Sequence, residues 1–122
     1  MATVNLTSEE FEAAVLKPGI TFVDFWAAWC GPCRMFAPIF EKASENYPEM
    51  QFVKIDTDAE QAIAAAAQIT SIPTLMAFRD GILVYREAGA LPAPQFEELI
   101  MAVESLNMDE VRKEISEQEK QK

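Results

Sequence analysis

The chain has 122 residues, half of them hydrophobic, with 20 acidic against 10 basic side chains and a formal charge of −10. That length forms one domain with a substantial core. The acidic balance excludes a nucleic-acid binder, because no basic stripe exists to neutralise phosphates, and it argues equally against anionic membrane surfaces.

The start, Met1-Ala2-Thr3-Val4-Asn5, has no basic segment followed by a long apolar one, so no secretory signal is expected. No apolar stretch approaches the ~20 residues needed to span a bilayer. A cytoplasmic protein, in a compartment that keeps thiols mostly reduced, is the expectation.

Thr7 with Glu10 forms a capping box that opens a helix running to about Leu16, with Phe11, Val15 and Leu16 on its apolar side. Lys17-Pro18-Gly19 ends it. Ile20 to Trp26 is nearly continuous apolar sequence, as in a central strand buried on both faces. A second helix spans Cys33 to about Tyr47, with Phe36, Ile39, Phe40 and Ala43 at helical spacing and Pro38 expected to kink it. Gln51 to Asp56 reads as a strand. Asp58 reads as the cap of an alanine-rich helix from Ala59 to Gln68. Thr74 to Arg79 and Leu83 to Ala88 read as two strands joined by Asp80-Gly81, a strong hairpin signal.

Pro92 and Pro94 precede a final helix carrying Phe96, Leu99, Ile100, Val103 and Leu106. The order β-α-β-α-β-α-β-β-α predicts a mixed sheet with helices on both faces and an antiparallel last pair. From Asn107 the composition changes, which divides the chain into a domain over 1–106 and a charged tail over 107–122. In the tail, Met108, Val111 and Ile115 form a narrow stripe, and Glu110 can pair with Lys113. The simple reading is a solvated extension of the last helix that frays toward Lys122. The sharper one is a helix whose stripe docks on a partner.

The chain's only two cysteines stand in Trp29-Cys30-Gly31-Pro32-Cys33, between a strand and a helix. That spacing in a βαβ pattern points to a reversible dithiol–disulfide pair. Other readings are weaker. A structural bridge over about four residues stabilises by only about 2 kcal/mol on chain entropy. Zinc needs about four ligands, and the chain has no His and no further Cys. Inert buried thiols fit poorly with Gly31-Pro32, which is turn chemistry.

Cys30 sits where the next helix begins, so free N–H groups and the helix dipole favour its thiolate. Pro32 suits a first helical turn. Cys30 is expected to attack a target disulfide, and Cys33, in the same turn, to displace the target. Gly31-Pro32 supplies no cation to stabilise the thiolate, which favours a reductant over an oxidant.

Asp24 interrupts a strand of Phe, Val and Trp, on the same face as Phe22 and Trp26. Burial there raises its pKa, which suits a group that takes and returns the resolving thiol's proton. The alternative is a structural carboxylate paired with Lys54, which lies between Val53 and Ile55 in a neighbouring strand. Trp29 reads as a partly exposed lid beside the turn. Ile72-Pro73-Thr74 opens a strand, and a cis Ile72–Pro73 bond cannot be assigned from pattern when about 5–6% of X–Pro bonds are cis.

These segments closely resemble the thioredoxin family, from about Val4 to Leu106. The anchors are Val23-Asp24-Phe25-Trp26-Ala27, Trp29-Cys30-Gly31-Pro32-Cys33-Arg34, Pro38, Lys54, Ile72-Pro73-Thr74, Asp80-Gly81 and Gly89-Ala90. The resemblance implies a thioredoxin fold, here with a C-terminal helical extension, and a protein-disulfide reductase that maintains cytosolic thiols and donates electrons to reductases and peroxidases. It implies that Cys30 is the attacking thiol, Cys33 the resolving thiol and Asp24 the proton-transfer carboxylate, with Lys54 beside it. It further implies a cis-proline at Pro73 and a substrate groove formed by Trp29, Gly31, Pro32, Ile72, Pro73, Gly89 and Ala90. The implied electron donor is a flavin-dependent reductase drawing on NADPH, so this chain carries no cofactor or metal of its own.

Two places depart from the family pattern. Ala28 stands where many members have an acidic or polar residue, and Thr70-Ser71 replaces a basic residue and Gly. Both change the rim that a reductase or substrate meets. A redox-independent scaffold, and an oxidase or isomerase, are the competing functions. Acidic repulsion and the lack of a long heptad pattern favour a monomer.

Overall fold

The computed structural model describes residues 2–121. In chain order the elements are β1 (Val4–Asn5), α1 (Ser8–Val15), β2 (Ile20–Trp26), α2 (Gly31–Asn46), β3 (Gln51–Asp56), α3 (Gln61–Ala66), β4 (Thr74–Arg79), β5 (Ile82–Ala88), α4 (Ala93–Glu104) and α5 (Met108–Lys120). The five strands form one sheet in the order β1-β3-β2-β4-β5. β3 runs parallel to both β1 and β2, while β2/β4 and β4/β5 are antiparallel. This is the mixed sheet expected, with β2 at its centre.

Alternation along β2 splits the core in two. Phe22 faces α2 and α4, where it joins Phe36, Phe40, Phe52, Phe96 and Ile100. Phe22 stacks on Phe52 at 5.4 Å between centroids and meets Phe96 edge-on at 5.5 Å. Val23 and Phe25 face the other way and pack with Val15, Val53, Ile55, Met76, Phe11 and Ile63, beneath α1 and α3. Helices thus cover both faces, and the C-terminal end of β2 delivers the chain directly into the cysteine turn.

The capping box of Thr7 and Glu10 is present. Leu16, however, lies past the end of α1 and is 57% exposed. Asp80 and Gly81 both adopt positive φ, 53° and 83°, which two-residue hairpins of this twist require. Asp80 also accepts the Gly19 N–H at 2.8 Å and returns its own N–H to the Gly19 carbonyl at 2.8 Å, tying the hairpin to the start of β2. α2 runs through Pro38 to Asn46.

Two expectations need correction. Asp58 does not cap α3, which is shorter than the alanine run and starts at Gln61. Asp56 instead accepts the Asp58 and Ala59 N–H groups at 2.9 and 3.4 Å and closes that turn. The tail is not an extension of α4 but a separate helix. Asn107 caps α5 by accepting from Asp109 N and Glu110 N at 3.1 and 3.2 Å. Arg79 Nη1 donates to the carbonyls of Val103, Glu104 and Leu106 at 2.8–2.9 Å, which satisfies the open end of α4.

Met108 is buried, and Val111 and Ile115 border a cavity of about 230 Å³ with Leu83, Val84 and Leu106. Beyond Met108 the stripe faces the chain's own hairpin across this open groove, with Ile115 37% and Leu83 45% exposed. Glu110 and Lys113 make no ion pair among the described residues; Arg112 pairs with Asp80 at 3.7 Å and Asp109 at 3.5 Å.

Candidate active site

Cys30 is the N-cap of α2 and Cys33 lies in its first turn, with Pro32 between them at a position that needs no N–H. The two sulfurs are joined as a disulfide, with Cα atoms 5.2 Å apart. Cys33 N–H points at Cys30 Sγ from 3.2 Å. The start of a 16-residue helix thus aims a backbone donor and its dipole at that sulfur, an arrangement that favours negative charge there.

The pair is less open than the turn alone implies. Cys30 is 4% exposed and Cys33 2%, because Ala27, Trp26 and Ile72 pack around them. The reading that set buried sulfurs against the turn chemistry of Gly31-Pro32 is corrected accordingly for the disulfide state. Trp29 stands outside at 68% exposure, as a lid residue would, and Pro32 is exposed too.

Across from the pair, the Ile72–Pro73 bond is cis and Pro73 is buried. Cys30 Sγ lies 3.6 Å from the Ile72 carbonyl oxygen. The Gly89 N–H donates to the Pro73 carbonyl at 2.8 Å. Gly89 has φ +110°, a backbone that side chains rarely tolerate, so glycine is what lets β5 leave the sheet beside Pro73. Ile72-Pro73 and Gly89 are in this way brought beside the cysteine turn from two separate segments, while Ala90 packs at the edge of the Phe22 core.

Beneath, Asp24 lies on the same face of β2 as Trp26, which touches the cysteine cluster, and is 1% exposed. Neither of its carboxylate oxygens has a hydrogen-bond partner among the described residues. Burial raises its pKa from 3.8 to about 7, and the positive charge of Lys54 offsets part of that rise.

Lys54 is the register partner of Asp24 on β3. The structural salt bridge considered for the pair is absent among the described residues, where both ion pairs belong to Arg112. Lys54 Nζ instead sits 4.9 Å from the centroid of the Trp26 ring. Asp24 is thus a buried acid held near neutrality by desolvation, as proton transfer at physiological pH requires.

One participant was invisible in the sequence. Trp29 Nε1 donates to Asp58 at 3.0 Å, across 29 positions of chain, so the side chain read as a helix cap instead anchors the exposed indole. No local pattern marks such a pair. Arg34, next to Cys33, donates to the Ala28 carbonyl at 3.1 Å and so leans back over the turn.

Comparison with known proteins agrees with this geometry. The family model described as Thioredoxin matches residues 2–102. The chain is 45% identical over 120 residues to putative thioredoxin 2 of Streptomyces coelicolor, covering 98% of this chain and 90% of that protein. It is 42% identical over 93 residues to thioredoxin-1 of Saccharomyces cerevisiae, covering 76% and 90%. The structure of Plasmodium falciparum thioredoxin superposes with a TM-score of 0.74 at 33% identity, covering 81% of this chain and 97% of the other. With its paired cysteines at a helix start in a mixed α/β sheet, the chain belongs to the thioredoxin family and is a thiol–disulfide oxidoreductase.

Proposed function

We propose that the protein is a general protein-disulfide reductase in which Cys30 attacks and Cys33 resolves. The observation that carries this reading is the Cys33 N–H directed at Cys30 Sγ from 3.2 Å at the start of α2. In the reduced protein, Cys30 thiolate attacks one sulfur of a target disulfide. A mixed disulfide forms and the other target sulfur leaves as a thiolate. Cys33 then gives its proton to the Asp24 carboxylate and attacks Cys30 Sγ. The second target sulfur departs, and the Cys30–Cys33 disulfide remains. Two electrons have passed to the target, and Asp24 returns its proton to solvent or to the leaving thiolate.

Lys54 supports Asp24 by tempering its pKa. Trp29, Gly31, Pro32, Ile72, Pro73, Gly89 and Ala90 surround the sulfurs and form the groove for an extended substrate segment. A flavin-dependent reductase using NADPH restores the dithiol. The protein works as a cytoplasmic monomer, with residues 1–106 as the redox domain and 107–122 as an appended helix. No helix among the described residues is long and apolar enough to cross a membrane. Redox-independent scaffolding is the less supported reading, since Val111 and Ile115 of α5 face Leu83 and Val84 of the same chain across the groove between them.

Equilibration with glutathione tests the direction of electron flow. No cation lies between the cysteines to favour their reduced form, so the couple is expected at or below the glutathione poise of about −220 to −260 mV. A potential above about −180 mV would instead make the protein an oxidant or isomerase.

A further inference from the structure

The two most exposed large hydrophobic side chains among the described residues are Met35, at 73%, and Trp29, at 68%. Single exposed apolar residues are ordinary on protein surfaces. These two, however, flank the same disulfide. α2 buries Cys33, Phe36 and Phe40 on its inner side. Met35 lies one helical turn beyond Gly31 on the outer side, at the i, i+4 spacing that brings two positions together.

Gly31, between Trp29 and Met35 in the chain, presents no side chain. Among the described residues, a side-chain carbon placed on Gly31 would meet nothing within 4 Å. Arg34, which leans back to the Ala28 carbonyl at 3.1 Å, stays outside that distance. On one side of Gly31 in the chain, the Trp29 indole is held by Asp58 at 3.0 Å. On the other side Met35 carries a thioether, unbranched and polarisable, which adapts to apolar surfaces of differing shape.

We propose that Met35 is a specificity-determining contact for protein disulfides. An apolar side chain beside the attacked half-cystine lies over Gly31, between Trp29 and Met35. The surface that grips the substrate thereby reaches one turn further along α2 than the residues around Pro73. The proposal rests on Cys30 being the attacking sulfur, which places the target chain over this turn.

The test compares Met35→Gln, Met35→Leu and Met101→Gln in steady-state reduction of a protein disulfide. Met101 is exposed on α4, at 56%, and serves as the surface control. Expected is a KM raised about five- to tenfold in Met35→Gln, with kcat within about twofold, as loss of apolar contact to substrate alone produces. Met35→Leu restores KM, and Met101→Gln leaves it unchanged. In the Cys33→Ser protein carrying a trapped substrate, the Met35 methyl NMR signal shifts relative to the free protein.

An unchanged KM in Met35→Gln with an unmoved methyl signal overturns the proposal. So does a fall in kcat at constant KM, which would place Met35 with the redox pair. Failure of the underlying assignment reads differently: Cys30→Ser would then remain active.

Discussion

Replacing Cys30 by serine reduces protein-disulfide turnover by at least about a thousandfold, the scale on which removing a covalent nucleophile acts. Replacing Cys33 by serine has a different signature. Cys30 keeps the donor side of the helix start, and attack on the target proceeds. The second displacement has no thiol to carry it, so a mixed disulfide between Cys30 and the target accumulates at one equivalent. Mass spectrometry of the non-reduced adduct identifies the linked residue. An adduct on Cys33 in the Cys30→Ser protein, with turnover retained, would reverse the assigned roles. The fold should tolerate both changes: the bridge closes about four residues and contributes only about 2 kcal/mol by chain entropy.

Asp24→Asn should reshape both stability and kinetics. The folded protein holds the Asp24 proton up to about pH 7, whereas an unburied aspartate releases it at 3.8. Because the folded state is then the better proton binder, its stabilising contribution is full below about pH 4. It falls as pH rises toward 7 and is lost above that, at a cost of about 4 kcal/mol. Asparagine carries no charge to desolvate. The variant is therefore expected to lack this decline and to exceed the parent protein in stability by about 4 kcal/mol at pH 8, with little difference near pH 4. Urea unfolding across that range reads the difference, and parallel stability profiles would contradict the burial argument.

The same change should lengthen the lifetime of the mixed disulfide by about a hundredfold or more near neutral pH, the usual contribution of a positioned proton acceptor. Cys30 attack changes only severalfold. Equal slowing of both steps would place Asp24 with the nucleophile and not with the resolving thiol.

What the sequence disclosed was chiefly local. The capping box at Thr7, the apolar run of β2 and the Asp80-Gly81 turn each carry their own short-range chemistry, and each stands where expected. The cysteine turn was legible because its spacing is local too. The Ile72–Pro73 cis bond came from family resemblance, since residue pattern alone does not distinguish the isomers.

The differences arose where distant segments compete for one group. Asp58 has the composition of a cap, but the indole of Trp29 claims its carboxylate. Asn107 was read as the start of a frayed extension. The three carbonyls held by Arg79, far away on β4, end α4 and let Asn107 begin a new helix. Lys54 was a fair partner for Asp24 by register, yet its ammonium is drawn over the Trp26 ring. The burial of Cys30 is likewise tertiary, set by Ile72 arriving from 42 positions away.

Everything assigned to the site depends on an inequality between the two sulfurs, and alkylation of the reduced protein measures it directly. With a small iodoacetamide reagent and peptide mapping over pH 5 to 10, Cys30 should be modified first, with a rate that rises in a pH range below that of an ordinary thiol at about 8.5. Cys33, inside the first turn, should lag throughout. Equal, slow modification of both sulfurs that climbs only above that range, or faster labelling of Cys33, would contradict the assignment.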